Sequence, residues 1–89
     1  MRYVYLDGGA MRAPADLHRQ VRARFGVPPY YGETLDALYD VLTECTQPTC
    51  LIVLRAQAAR RQLGRFGAGC ARVLRDAARA NRRLHVQLW

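Results

Sequence analysis

Cys50-Leu51-Ile52-Val53-Leu54 is an unbroken apolar run of strand length, in a chain whose other apolar residues mostly come at intervals. A strand that alternates polar and apolar residues is half exposed; an unbroken one is expected to be covered on both faces, as in a parallel sheet. The stretches around it carry the same message. Tyr3 to Leu6 is a short β-type run that Asp7-Gly8-Gly9 closes as a turn. At the far end, Leu84, Val86 and Leu88 alternate with His85, Gln87 and Trp89 to give a last strand.

Between these strands the period changes from two to nearly four. Leu17, Val21 and Phe25 repeat every fourth residue, with Arg19, Arg22 and Arg24 among them, predicting a helix over 15–25. Asp16 near its start suits the macrodipole. Gly26 and Pro28-Pro29 end it. The stiff aromatic loop Tyr30-Tyr31-Gly32 then delivers the chain to a second helix, about Thr34 to Cys45, with Thr34 as N-cap. Residues 56–63 read as a short helix broken by Gly64, Gly67 and Gly69. A longer helix follows from about Ala68 to Ala80, with Cys70, Val73, Leu74 and Ala77 inward. The order β-α-α-β-α-α-β predicts an α/β fold: a three-stranded parallel sheet packed with about four helices, joined by right-handed crossovers. Eighty-nine residues leave room for one core, so 1–89 is expected to be a single domain.

Composition narrows the class. The chain is 51% hydrophobic and 24% charged, which is globular rather than disordered usage. No apolar run approaches the roughly 18 residues needed to span a bilayer, and Met1 to Gly9 lacks a signal-peptide core. The expectation is a soluble, cytoplasmic protein without a membrane partner. Cys45, Cys50 and Cys70 have no zinc-type spacing, and His18 and His85 stand alone, so no metal, disulfide or cofactor is expected. There is no Gly-rich phosphate loop, nucleophile elbow or usable Cys–His pair, which argues against an enzyme.

Charge is where the sequence becomes specific. The net charge is +7, and all 14 basic residues are Arg, yet none falls between Phe25 and Leu54. Glu33, Asp36, Asp40 and Glu44 all do, giving that segment −4 and the remainder +11. On a helical wheel the four acids lie within roughly 80°, with Leu35, Leu38, Leu42 and Cys45 opposite. Tyr39 sits at the edge of the acidic row. A charged outer face is ordinary on a surface helix, and acids in the first turn stabilise it. Asp40 and Glu44 are not explained that way: like charges four apart repel, and Glu44 is at the wrong end of the dipole. A locally unfavourable choice of this kind points to binding.

The run Tyr30-Tyr31-Gly32-Glu33-Thr34-Leu35-Asp36-Ala37-Leu38-Tyr39-Asp40-Val41-Leu42-Thr43 closely resembles the signature of the barstar family, intracellular inhibitors of a barnase-type extracellular ribonuclease. The likeness extends to Asp16-Leu17-His18 and to Leu74-Arg75-Asp76-Ala77, and so covers essentially the whole chain. The resemblance implies a three-stranded parallel sheet backed by helices, and inhibition without catalysis, in a 1:1 complex with a cognate ribonuclease. It implies that the second helix and its preceding loop plug the enzyme's active site. Tyr30, Tyr31 and Gly32 would supply the loop contact, with Tyr30 against the catalytic histidine region. Asp36 and Asp40 would meet the enzyme's cations, Asp40 in the phosphate pocket, and Asp76 would reach in from the last helix. Thr34, Tyr39 and Glu44 complete the expected face, standing where barstar has Asn, Trp and Gly. Cys45 replaces a Trp, and barstar itself is acidic whereas this chain is basic.

The alternative reading is an Arg-rich RNA-binding module. Arg72, Arg75 and Arg79 share one helix face, with Arg82 and Arg83 beyond it, and such a stripe suits phosphates. A solvated outer face with packed aliphatic stems is the simpler account. Tyr3, Tyr5 and Trp89 read as core or edge packing, and no RNP-like motif is present. Direct nucleic-acid binding is therefore not expected, and the free form is expected to be a monomer.

Overall fold

The computed structural model describes residues 1–89. Strands β1 (Arg2–Asp7), β2 (Thr49–Leu54) and β3 (Leu84–Leu88) form one sheet in the order β1-β2-β3, parallel throughout. Helices α1 (Pro14–Gln20) and α2 (Leu35–Thr43) precede β2; α3 (Ala56–Leu63) and α4 (Arg65–Ala80) follow it. This is the expected α/β architecture, with three parallel strands and four helices.

Pairing aligns Val4 with Leu51 and Val86, and Leu6 with Val53 and Leu88, so one face of the sheet is aliphatic. The helices close over it with Leu17, Val21, Phe25, Leu38, Leu42, Leu74 and Ala77, all buried. The opposite face carries no helix. Tyr3 and Tyr5 on β1, and His85 and Gln87 on β3, are exposed there. This corrects the expectation that the run 50–54 is covered on both sides. Strands added in the order β1-β2-β3 move in one direction, so crossovers of one hand put every helix on the same face. Cys50 and Ile52 are still buried, because each lies between taller neighbours: Tyr3 and His85 for Cys50, Tyr5 and Gln87 for Ile52. An apolar central strand is compatible with a sheet that is bare on one side.

Two boundaries also differ from the periodicity. The first helix does not run evenly to Phe25; α1 passes into one wide turn at Val21–Phe25, where the Gly26 N–H reaches the Val21 carbonyl at 3.0 Å. The last helix begins at Arg65, not near Ala68, so only Gly64 (φ +58°) interrupts the chain. Gly67 and Gly69 are there for close approach instead. A Cβ on Gly67 would lie 3.1 Å from the Arg60 Cα, and one on Gly69 would lie 3.1 Å from Leu35 Cδ1. Gly69 therefore lets α4 lie tight against the start of α2.

Candidate functional site: the acidic face of α2 and its loop

The approach to α2 is built as a rigid loop. The Tyr31 N–H donates to the Pro28 carbonyl (3.0 Å), and the Tyr31 ring turns inward and is buried. Its hydroxyl lies 2.6 Å from Nδ1 of His18, also buried, on α1. Burial pushes the Tyr31 hydroxyl up to about 12 and holds His18 below its ordinary value, so the pair is neutral at pH 7. Arg22, one helical turn after His18, clamps the loop from outside. Its guanidinium lies 5.3 Å from the Tyr31 ring centroid, donates to the Tyr31 carbonyl (3.1 Å) and pairs with Glu33 (2.8 Å). With Tyr31 turned in, Tyr30 turns out and is 85% exposed.

Glu33 is not part of the helix. It has φ +53°, and α2 begins two residues later, so its expected place in the acidic row is wrong. Thr34 is the N-cap, its Oγ1 accepting from the Ala37 N–H at 3.0 Å. The far end of α2 is held just as firmly. Buried Asn81 donates to the carbonyls of Leu42 and Cys45, both at 2.9 Å, satisfying acceptors that a helix end leaves orphaned.

Between these two anchors Asp36, Asp40 and Glu44 are all exposed, four residues apart, and project as one stripe about 12 Å long. Their electrostatic setting separates them from every other acid in the chain. Asp7 pairs with Arg55, Asp16 with Arg19, Glu33 with Arg22 and Asp76 with Arg79. Those four pairs account for all the ion pairs, so the stripe keeps three uncompensated carboxylates in a protein with 14 Arg. The Arg55 and Arg19 guanidiniums hold Asp7 and Asp16 below the usual carboxylate range.

The remaining expected residues divide by surroundings. Tyr39 is half-buried against the core, and Tyr31 is buried, so both support the face more than they form it. Asp76 shares a face of α4 with Gly69 and Val73, the side turned to α2. Leu35 abuts Gly69 and Leu42 abuts Asn81, so the two helices run in the same direction and Asp76 is level with Tyr39. Its carboxylate is half-buried and 3.6 Å from Arg79. A cleft of about 250 Å³ joins loop to helix, lined by Pro28, Tyr30, Tyr31, Gly32, Asp40 and Glu44, with Ala37 and Val41 also on its wall. Sequence reasoning missed Ala37 and Val41, although both sit one position after an acid of the stripe. It also missed the anchors His18, Arg22 and Asn81, of which only the i,i+4 spacing of His18 and Arg22 gave a signal. No three His, Cys, Asp or Glu side chains converge as a metal site, and Cys45, Cys50 and Cys70 are free thiols.

The family model described as "Barstar (barnase inhibitor)" matches residues 1–89. A protein of Bacillus subtilis (strain 168), named "Putative ribonuclease inhibitor YrdF", is 30% identical over 78 residues, 86% of either chain. The matched region takes in both the sheet and the anchored helix with its unpaired acids. On that whole-length match, this chain belongs to the Barstar family.

Proposed function

We propose that the protein inhibits a cognate secreted, barnase-like ribonuclease by seating α2 and its loop in the enzyme's active-site cleft. Residues 1–89 act as one unit: a monomer binding one enzyme molecule, in the cytoplasm, with no cofactor and no catalysis of its own. The observation that carries this reading is the partition of the acids. Four of the seven are each matched to an Arg, and the three that are not form one exposed stripe.

A ribonuclease cleft is lined with cations that hold phosphates and stabilise charge developing on the transferring phosphoryl group. A rigid helix offering carboxylates about 6 Å apart presents anions to those cations without a bond to cleave. Tyr30 is the aromatic anchor of the loop, a type enriched among binding hot spots. Nothing inside the chain requires glycine at Gly32: a Cβ there would make only an ordinary 3.9 Å contact with Ala37. A closely approaching partner surface would require it. Asp36, Asp40 and Glu44 supply free charge, and Asp76 would join them by exchanging its long 3.6 Å pairing with exposed Arg79 for a cation of the enzyme. Tyr31, Thr34 and Tyr39 hold the geometry. Glu44 extends the stripe beyond the family pattern and is fitted to a cation specific to the cognate enzyme.

The test is titration of RNA cleavage by secreted basic ribonucleases of the barnase type. Cleavage by the cognate enzyme should stop at one equivalent, with a single 1:1 species in sedimentation. Failure to inhibit any such enzyme, or cleavage of RNA by the protein itself, would overturn the reading.

A further inference from the structure

We propose that the open face of the sheet is a second binding surface, a platform for single-stranded RNA. Sequence reading assigned Tyr3, Tyr5 and Trp89 to packing. They are instead 60%, 47% and 71% exposed, and they share the face that no helix covers. Tyr3 and Tyr5 are alternate residues of β1, about 7 Å apart along the strand. That is too wide for bases stacked on one another at 3.4 Å and suits splayed bases that each stack on a ring. Trp89 follows β3 on the opposite edge, where its indole N–H donates to Gln87 (2.9 Å) and its backbone bonds Val53 and Ala56.

The charges around these rings decide the occupant. Arg24 reaches the β1 edge, donating to the Tyr5 carbonyl (3.3 Å), and its remaining donors face solvent. At the other edge Trp89 forms one wall of an open cleft of about 500 Å³ on the helical side of β3, shared with Leu88 and α3. Arg60 and Arg61 lie there and no acidic side chain does, so a strand leaving the open face would turn over this edge to reach them. Asp7 is the one acid of this face, and Arg55 neutralises it through both carboxylate oxygens (2.7 and 2.8 Å). An aromatic surface bordered by free guanidiniums, its one acidic side chain already paired, fits a polyanion with π-faces. A path from Tyr3 and Tyr5 across Ile52 to Trp89 and the arginine cleft would be followed by a short single strand. The acidic stripe of α2 points away from the helical layer on the other side, so the two surfaces do not compete.

The protein's single Trp lies in the proposed site and reports on it directly. The experiment titrates the full chain with a fluorescein-labelled uridine oligomer of about a dozen nucleotides, reading anisotropy and Trp89 quenching together. Binding should be micromolar, with saturable quenching. With Arg24, Arg60 and Arg61 as the phosphate contacts, log affinity should fall against log salt with a slope of about −2. Tyr5→Ala, an exposed substitution, should weaken binding roughly 5- to 100-fold, and Asp40→Ala should leave it unchanged. Absence of binding would overturn the proposal. So would equal affinity for Tyr5→Ala, or binding lost only when Arg72, Arg75 and Arg79 are replaced. A dimer in sedimentation that Tyr5→Ala dissociates, with no RNA bound, would assign the face to a second copy of this chain.

Discussion

The acidic face of α2 and the open face of the sheet lie on opposite sides of a two-layer molecule, and they are held in opposite ways. The α2 face is defined by restraint: His18 and Arg22 fix its loop, Thr34 caps its start, Asn81 closes its end, and Gly69 lets α4 support it. Its three carboxylates are charges left without partners. The sheet face is defined by omission: a monotonic strand order leaves it without a helix, and its rings and arginines stand free. One surface is rigid and anionic, the other broad, aromatic and cationic. On the proposed function, screening over about 8 Å would let the three unpaired carboxylates of α2, rather than the net charge of +7, decide at contact.

Breaking the contrast on the acidic side should have the largest effect. Asp40→Ala removes a carboxylate that in the complex would face buried cations, so binding of the ribonuclease should weaken by about 2–5 kcal/mol, roughly 30- to several-thousand-fold. Calorimetry checks this, and an affinity equal to wild type would detach the stripe from the function. Asn81→Ala acts one step further back. It leaves two carbonyls at the end of α2 without a donor, one of them buried, and should cost about 1–3 kcal/mol of stability in denaturant unfolding. Because Asn81 lies at the α2–α4 seam, RNA binding on the sheet should persist wherever the variant is folded.

A pH series sharpens the role of the loop anchor. The His18 pKa is lower in the folded chain than its ordinary value of 6.5, mainly through burial, so the unfolded state binds the proton more readily. Stability from this group is fully present above pH 6.5 and is lost as pH falls through the folded value. Asp7 and Asp16 are also depressed, from 3.8, and their contributions disappear only below that pH. The thermal midpoint should therefore drop first between pH 7 and 5, and His18→Gln should flatten that step. Tyr31 runs the other way: raised from 10.0 to about 12, it favours folding below pH 10 and stops doing so as pH climbs through that interval. The smallest expected effect is kinetic. Replacing Arg79, Arg82 and Arg83 with Gln lowers the repulsive monopole and should raise the association rate with a basic enzyme a few-fold at low salt, leaving dissociation nearly unchanged. Slower association would mean that these arginines touch the partner.

What the sequence disclosed depended on how local the cause was. Strands, helices and the Thr34 cap follow from periodicity and short-range chemistry, and the stripe of Asp36, Asp40 and Glu44 is a property of one helix. Glu33 was misplaced because a single residue at φ +53° breaks the wheel, and nothing in its side chain announces that. Gly67 and Gly69 read as breakers because their cause is a neighbouring helix, out of sight along the chain. Tyr3, Tyr5 and Trp89 were assigned to packing because alternation says which residues share a face, but only strand order says which face is covered. The pairing of Asp7 with Arg55 and of Glu33 with Arg22 is likewise a tertiary fact, whereas Asp16–Arg19 and Asp76–Arg79 are i,i+3 pairs along one helix. Together the four leave only the α2 stripe unpaired.

The central claim is that the stripe is kept for binding at some cost to the fold, and one pair of readings on one variant tests it. Asp40→Asn with Glu44→Gln keeps the shape of α2 while removing two i,i+4 repulsions, Asp36–Asp40 and Asp40–Glu44, and an anion from the negative end of the dipole. The account predicts that thermal or denaturant unfolding of this variant shows a gain of about 0.5–1 kcal/mol, while inhibition of the ribonuclease is lost or sharply weakened. A variant that is less stable than wild type, or that inhibits as wild type does, would contradict it.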